Sequence, residues 1–118
     1  MKKKELSKSE KIKKEIQRLN KIFIDIEDRK KKTVEGLISE SAFMRITLEE
    51  LKENINIHGV IDEMPQGDYS ILRESPYVKT YNTMIQRYTT VNDKLIALLP
   101  KEVEKIEDDG FESFVMSR

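Results

Sequence analysis

The chain has 118 residues, 37% of them apolar and 37% charged, with no cysteine and a formal net charge of zero. That length suits one domain, and the composition favours a helix-rich, heavily solvated design over a large compact core. Without cysteine there is neither a disulfide framework nor a thiolate metal site, which fits an intracellular protein, and the basic start "MKKKELSKSEKIKKE" runs into no apolar stretch long enough for a signal peptide or a membrane span.

The neutral total hides an asymmetry. Residues 1–32 carry 13 Lys and Arg against 6 Asp and Glu, residues 33–100 carry 6 against 10, and residues 101–118 carry 3 against 6. A basic end joined to an acidic remainder is the pattern expected for nucleic-acid contact at one end and protein contact at the other, or for charge pairing between subunits. It divides the chain into a basic N-terminal arm over 1–24, a helical core and oligomerisation region over 25–100, and an acidic tail over 101–118.

In chain order, Ile12, Ile16, Leu19, Phe23 and Ile26 recur at steps of four and three, a single apolar stripe on a helix starting at Ser7 or Ser9, both good N-caps. The other faces are rich in lysine, so this helix needs a partner helix, a neighbouring subunit or a polyanion to be stable. "DIED" at 25–28 places a carboxylate three residues after an acidic cap and predicts a bend with a helix restart. From there Val34, Leu37, Met44, Leu48, Leu51 and Ile55 continue the repeat, and Ile38, Ala42, Phe43 and Ile46 widen it, predicting a helix over roughly 27–57 about 45 Å long. Gly36 inside it marks a close helix contact or a kink.

"IHGV" at 57–60 predicts a helix stop, with Gly59 left-handed and Val60 folding back apolar surface. His58 there suits the negative end of the helix dipole, and the chain's lack of a second histidine or a cysteine argues against metal ligation. Residues 60–75 read as a long loop, and its Asp62, Glu63 and Asp68 read as solvated carboxylates without a catalytic partner. Ser75 then caps, and Pro76 opens, a helix closed by Pro100. Tyr77, Tyr81, Met84, Tyr88, Val91, Leu95 and Leu98 step alternately by four and three along it, a heptad-like seam able to pair antiparallel with the 27–57 helix.

Three tyrosines on one stripe could stack bases. Base-stacking aromatics are normally interleaved with cations that hold the phosphates, however, and this stripe is shared with Met, Val, Ile and Leu, so helix packing is the stronger reading. Because each tyrosine hydroxyl needs a hydrogen-bond partner, the seam suits a partly polar subunit interface, with Leu37, Met44, Leu48, Leu51, Tyr77, Tyr81, Met84 and Tyr88 as its candidate residues. The predicted fold is all-α: a long antiparallel helical hairpin preceded by a basic N-terminal helix, assembling into a symmetric oligomer.

"KKKTVEGLISESAFMRITLEELKENINIHGVIDE" and, after a polar stretch, "SPYVKTYNTMIQRYTTVNDKLIALLPKE" resemble the small terminase subunits of tailed phages infecting Gram-positive bacteria, and small phage packaging proteins related to them. The match runs from about Phe23 to Glu102, and "AFMRITLEEL", "YNTMIQRY" and "LLPKE" are its most telling pieces. The resemblance implies oligomeric rings of helical protomers in the cytoplasm of an infected bacterial cell. Such rings bind double-stranded phage DNA and regulate the ATPase and nuclease of the large terminase subunit without doing chemistry themselves. The sequence has no recognisable compact N-terminal helix-turn-helix of the kind some small terminases carry, so a sequence-reading recognition helix is not expected.

The DNA contacts would be Lys2, Lys3, Lys4, Lys8, Lys11, Lys13, Lys14, Arg18 and Lys21, with Arg29, Lys30, Lys31 and Lys32 as a second cluster. Such residues give salt-sensitive phosphate affinity without base reading, and a solvated helix face is the plain alternative. Phe111, Phe114, Val115 and Met116 in the acidic tail are the candidate contacts to a partner, the large subunit, or else pack on their own subunit. There is no Gly-rich phosphate loop, nucleophile–base pair or acid cluster, so no enzyme activity, metal or cofactor is expected. The competing function is a small helical phage interaction protein that binds a protein partner without DNA.

Overall fold

The computed structural model describes residues 5–99; Lys2, Lys3, Lys4, Pro100 and the tail residues Phe111, Phe114, Val115 and Met116 lie outside them. The described chain forms three α-helices, α1 (Lys8–Ile22), α2 (Lys31–His58) and α3 (Pro76–Ala97), and two strands, β1 (Ile61–Gln66) and β2 (Tyr69–Glu74).

Ser7, not Ser9, starts α1. Its hydroxyl accepts from the Glu10 N–H at 3.1 Å while the Glu10 carboxylate accepts from the Ser7 N–H at 3.1 Å, a complete capping box. The helix stops at Ile22 with the Phe23 N–H on the Leu19 carbonyl, yet Phe23 and Ile26 beyond it stay buried. The expected cap at Asp25 does not form. Glu27 instead precedes a short 3-10 turn over Asp28–Lys30 and caps it with no side-chain bond, so the turn runs straight into α2.

Leu19, Phe23, Ile26, Val34, Ile38 and Leu95 make the core, with Ile16, Leu37, Val91, Leu98 and Leu99 packed against it. It lies where the end of α1, the first half of α2 and the end of α3 meet. Leu95 is the one residue of α3 that is fully buried, so the rest of α3 keeps one side open. Gly36 marks no close helix contact, because a Cβ built there meets nothing within 4 Å.

The stretch 60–75 is not a loop. β1 and β2 pair antiparallel from Ile61 with Glu74 to Gln66 with Tyr69, leaving Gly67 and Asp68 as a two-residue turn with Gly67 at φ 63°. Glycine first with positive φ is what a type II′ hairpin turn requires. Asp62 and Arg73 pair across the strands at 2.7 Å, so Asp62 is a cross-strand ion-pair partner and not a free loop carboxylate. At the hairpin's base the Ser75 N–H donates to the Val60 carbonyl at 2.9 Å. That bond holds the exit of α2 beside the entry of α3 and so sets the two helices antiparallel. Ser75 is buried, and its Oγ accepts from the Tyr77 N–H at 3.1 Å, as the Ser-Pro start predicts. Val60 does not fold back; it is 57% exposed. Gly59 takes φ 83° and ψ 178°, an extended conformation with positive φ and not the left-handed helical one.

Candidate nucleic-acid interface

Lys11, Lys14, Arg18 and Lys21 follow one another at steps of three, four and three, which puts them on one face of α1 beside its apolar stripe. All four are exposed, and Lys13 is exposed on another face. Lys11, Lys13, Lys14 and Lys21 make no ion pair among the described residues.

Four of the other described candidates are engaged, Lys8, Arg18, Arg29 and Lys31. Lys8 reaches Glu50 of α2 at 2.8 Å with its ammonium 4.8 Å from the centre of the Phe43 ring, an ion pair and a cation–π contact that pin the start of α1 to α2. Arg18 grips Glu15 with two bonds of 2.8 and 2.6 Å. In the second cluster Arg29 pairs with Glu27 at 2.9 Å and Lys31 with Asp28 at 3.1 Å, while Lys30 is half-buried and Lys32 exposed.

Glu15 is the centre of this face. Only 8% exposed, it takes Arg18 from its own helix and, at 3.7 Å, Arg45 from α2. Arg45 also donates to the Tyr88 hydroxyl of α3 at 3.3 Å, so one carboxylate and its partners touch all three helices. The bonds from Arg18 hold the Glu15 carboxyl below the usual carboxylate range, outweighing the opposing effect of burial. In turn Glu15 keeps the Arg18 guanidinium more firmly protonated, and Arg45 is held the same way, first by Tyr88.

Two grooves flank this cluster. One, between α1 and α2, is lined by Leu6, Lys11, Lys14, Arg18, Arg45 and Ile46, with Glu15 and Glu49 its carboxylates. The other, about 270 Å³, runs from Arg18, Arg45 and Tyr88 to Ile22, Ile96 and Leu99. Arg45, common to both, escapes a sequence reading because it stands alone within the apolar run "AFMRITLEEL"; no local pattern marks it.

Of the seam residues, Leu48 is buried, Leu37, Met44, Leu51, Tyr81, Met84 and Tyr88 are half-buried, and Tyr77 is exposed. Tyr77 stacks on His58 at 5.4 Å between ring centres, tying the end of α2 to the start of α3. Among the described residues no group of acidic or histidine side chains is placed to hold a metal ion, and no helix is long and apolar enough to cross a membrane. No protein-family model, curated protein sequence or solved structure matches the chain.

Proposed function

We propose that the protein is a DNA-packaging adaptor of the small terminase kind. The outer face of α1 holds double-stranded phage DNA, and the half-buried seam of α2 and α3 joins copies into a symmetric oligomer. The C-terminal tail engages the large terminase subunit and so regulates its motor and nuclease. The observation that carries the DNA reading is the row Lys11, Lys14 and Lys21 on one exposed helix face, none of them in an ion pair among the described residues. Such a row offers phosphate contacts at little desolvation cost, and an oligomer would repeat it about its axis. The test combines mass in solution with binding to a DNA duplex at two salt concentrations. An oligomer whose affinity falls steeply with salt is the expected result, and a monomer indifferent to DNA sinks the reading.

A second reading, a helical interaction protein that binds another protein and no DNA, is favoured by the hairpin. Ile61, Tyr69 and Leu72 are 56, 66 and 75% exposed there, more apolar surface than a solvated turn needs. Retained self-association with no DNA binding at low salt selects it.

A further inference from the structure

The groove beside the Glu15 cluster is lined by both apolar and basic side chains. The buried Leu19, Phe23 and Leu95 line it together with Ile22 and Ile96, which stand 43 and 51% exposed, and with Arg18 and Arg45. Leu99, the last described residue, lines the same groove, so the remaining chain starts from it. That remaining chain is complementary in both respects. It carries Glu102, Glu104, Glu107, Asp108 and Asp109, followed by Phe111 and Phe114.

From this match of charge, apolarity and starting point we infer that the segment 101–118 docks back on its own subunit. Its carboxylates lie along Lys11, Lys14, Arg18 and Lys21, and one of its phenylalanines enters the groove beside Ile22 and Ile96. The length suffices. From Lys21 to Lys11 the helix rises only about 15 Å, whereas the ten residues from Pro100 to Asp109 span up to about 35 Å when extended. The two arginines already outnumber the Glu15 they share, so the face keeps positive charge for an added anion. Docked there, the tail occupies the phosphate sites in place of DNA. The competition with DNA rests on the function proposed above; the docking does not. A tail drawn off by a protein partner would uncover the DNA-binding face, coupling the two contacts.

Two measurements on the full chain test this. Since the chain has no cysteine, Gln17→Cys and Ser113→Cys take spin labels uniquely, and dilution into unlabelled protein removes pairs between copies. The expected result is a narrow distance distribution that broadens when Glu104→Gln, Glu107→Gln, Asp108→Asn and Asp109→Asn are introduced together. A distribution already as broad before neutralisation overturns the docking. In the second measurement the neutralised protein binds a random DNA duplex about five- to tenfold tighter at low salt, a difference that shrinks as salt screens it. A control with the same charge change, Glu53→Gln, Glu63→Gln, Asp68→Asn and Glu74→Gln, gains less. Equal gains in both variants, or none in a protein that does bind DNA, overturn the competition. A narrow distribution in a protein that binds no DNA in any form supports the docking and removes the DNA reading.

Discussion

The guanidinium of Arg45 stands 3.7 Å from the carboxylate of Glu15, joining α2 to α1 at the point where Arg18 already holds that carboxylate. Both arginines are about half-exposed and hydrate readily, so losing the charge of Glu15 strands no buried cation and costs only the ionic bonds made to that buried acid. Its folded pKa lies below the ordinary 4.5, chiefly through the Arg18 bonds. A depressed carboxylate pKa contributes stability that is present above the ordinary value and lost as pH falls through the folded one. Glu15→Gln should therefore cost about 1–2 kcal/mol near pH 7. The gap to the unaltered protein should close as the solution is acidified below about pH 4.5. Urea denaturation at neutral pH and near pH 3 measures both, and a gap of the same size at each would rule out the ionic account.

Ser41 presents the opposite case, a polar group buried with no partner among the described residues. It is 0% exposed, and its hydroxyl makes no hydrogen bond to any of them. An unpaired buried hydroxyl costs about 1–3 kcal/mol, and alanine removes it while keeping the helical backbone. Ser41→Ala should raise stability by about 1 kcal/mol. A loss of stability on thermal melting would mean that the hydroxyl does have a partner.

Two glycines separate the effect of space from that of conformation. A Cβ at Gly36 or at Gly59 meets nothing within 4 Å, but Gly36 lies within α2 whereas Gly59 has φ 83°. Gly36→Ala should stabilise by about 1 kcal/mol through helix propensity. Gly59→Ala forces a side chain into backbone space that is nearly glycine's alone and should cost about 1–3 kcal/mol. Denaturant midpoints of the two variants should move in opposite directions, and movement in the same direction contradicts the assignment.

The helices were legible in the sequence because each carries a local signal: Ser7 with Glu10, Ser75 with Pro76, and the three/four apolar steps. The hairpin carried one too, since Gly67-Asp68 between two six-residue segments is a turn signature. Pro65 and the acids of "IDEMPQ" obscured it: β1 does alternate between exposed and half-buried positions, but the half-buried ones are Asp62, Met64 and Gln66, and β2 is exposed throughout, so no apolar alternation marks either strand. The Glu15–Arg45–Tyr88 contact was not legible at all. Its members lie on three helices, 30 and 43 positions apart along the chain, and periodicity records which side of a helix is buried, not what faces it. The lysine stripe was visible from its spacing. Which of its members are already occupied was not, because that depends on where Glu50 and Phe43 of α2 arrive in the fold.

That difference in occupancy makes the lysines of α1 unequal. Lys8 is committed to Glu50 and the Phe43 ring, whereas Lys11, Lys14 and Lys21 are exposed and make no ion pair among the described residues. For a phosphate contact each cation releases one condensed counterion, and the slope of log K against log salt changes by about 0.9 per contact on duplex DNA. Replacing Lys11, Lys14 and Lys21 together by glutamine should thus flatten the slope by about 2.7 if all three touch phosphate. Lys8→Gln should leave the slope nearly unchanged and instead cost up to about 1 kcal/mol of stability, the usual worth of a surface pair with a cation–π contact. Titrating a fluorescent duplex at four or five salt concentrations resolves slopes of this size. If Lys8→Gln flattens the slope as much as each of the other three substitutions, Lys8 leaves Glu50 for DNA, and the bound face extends to the first turn of α1.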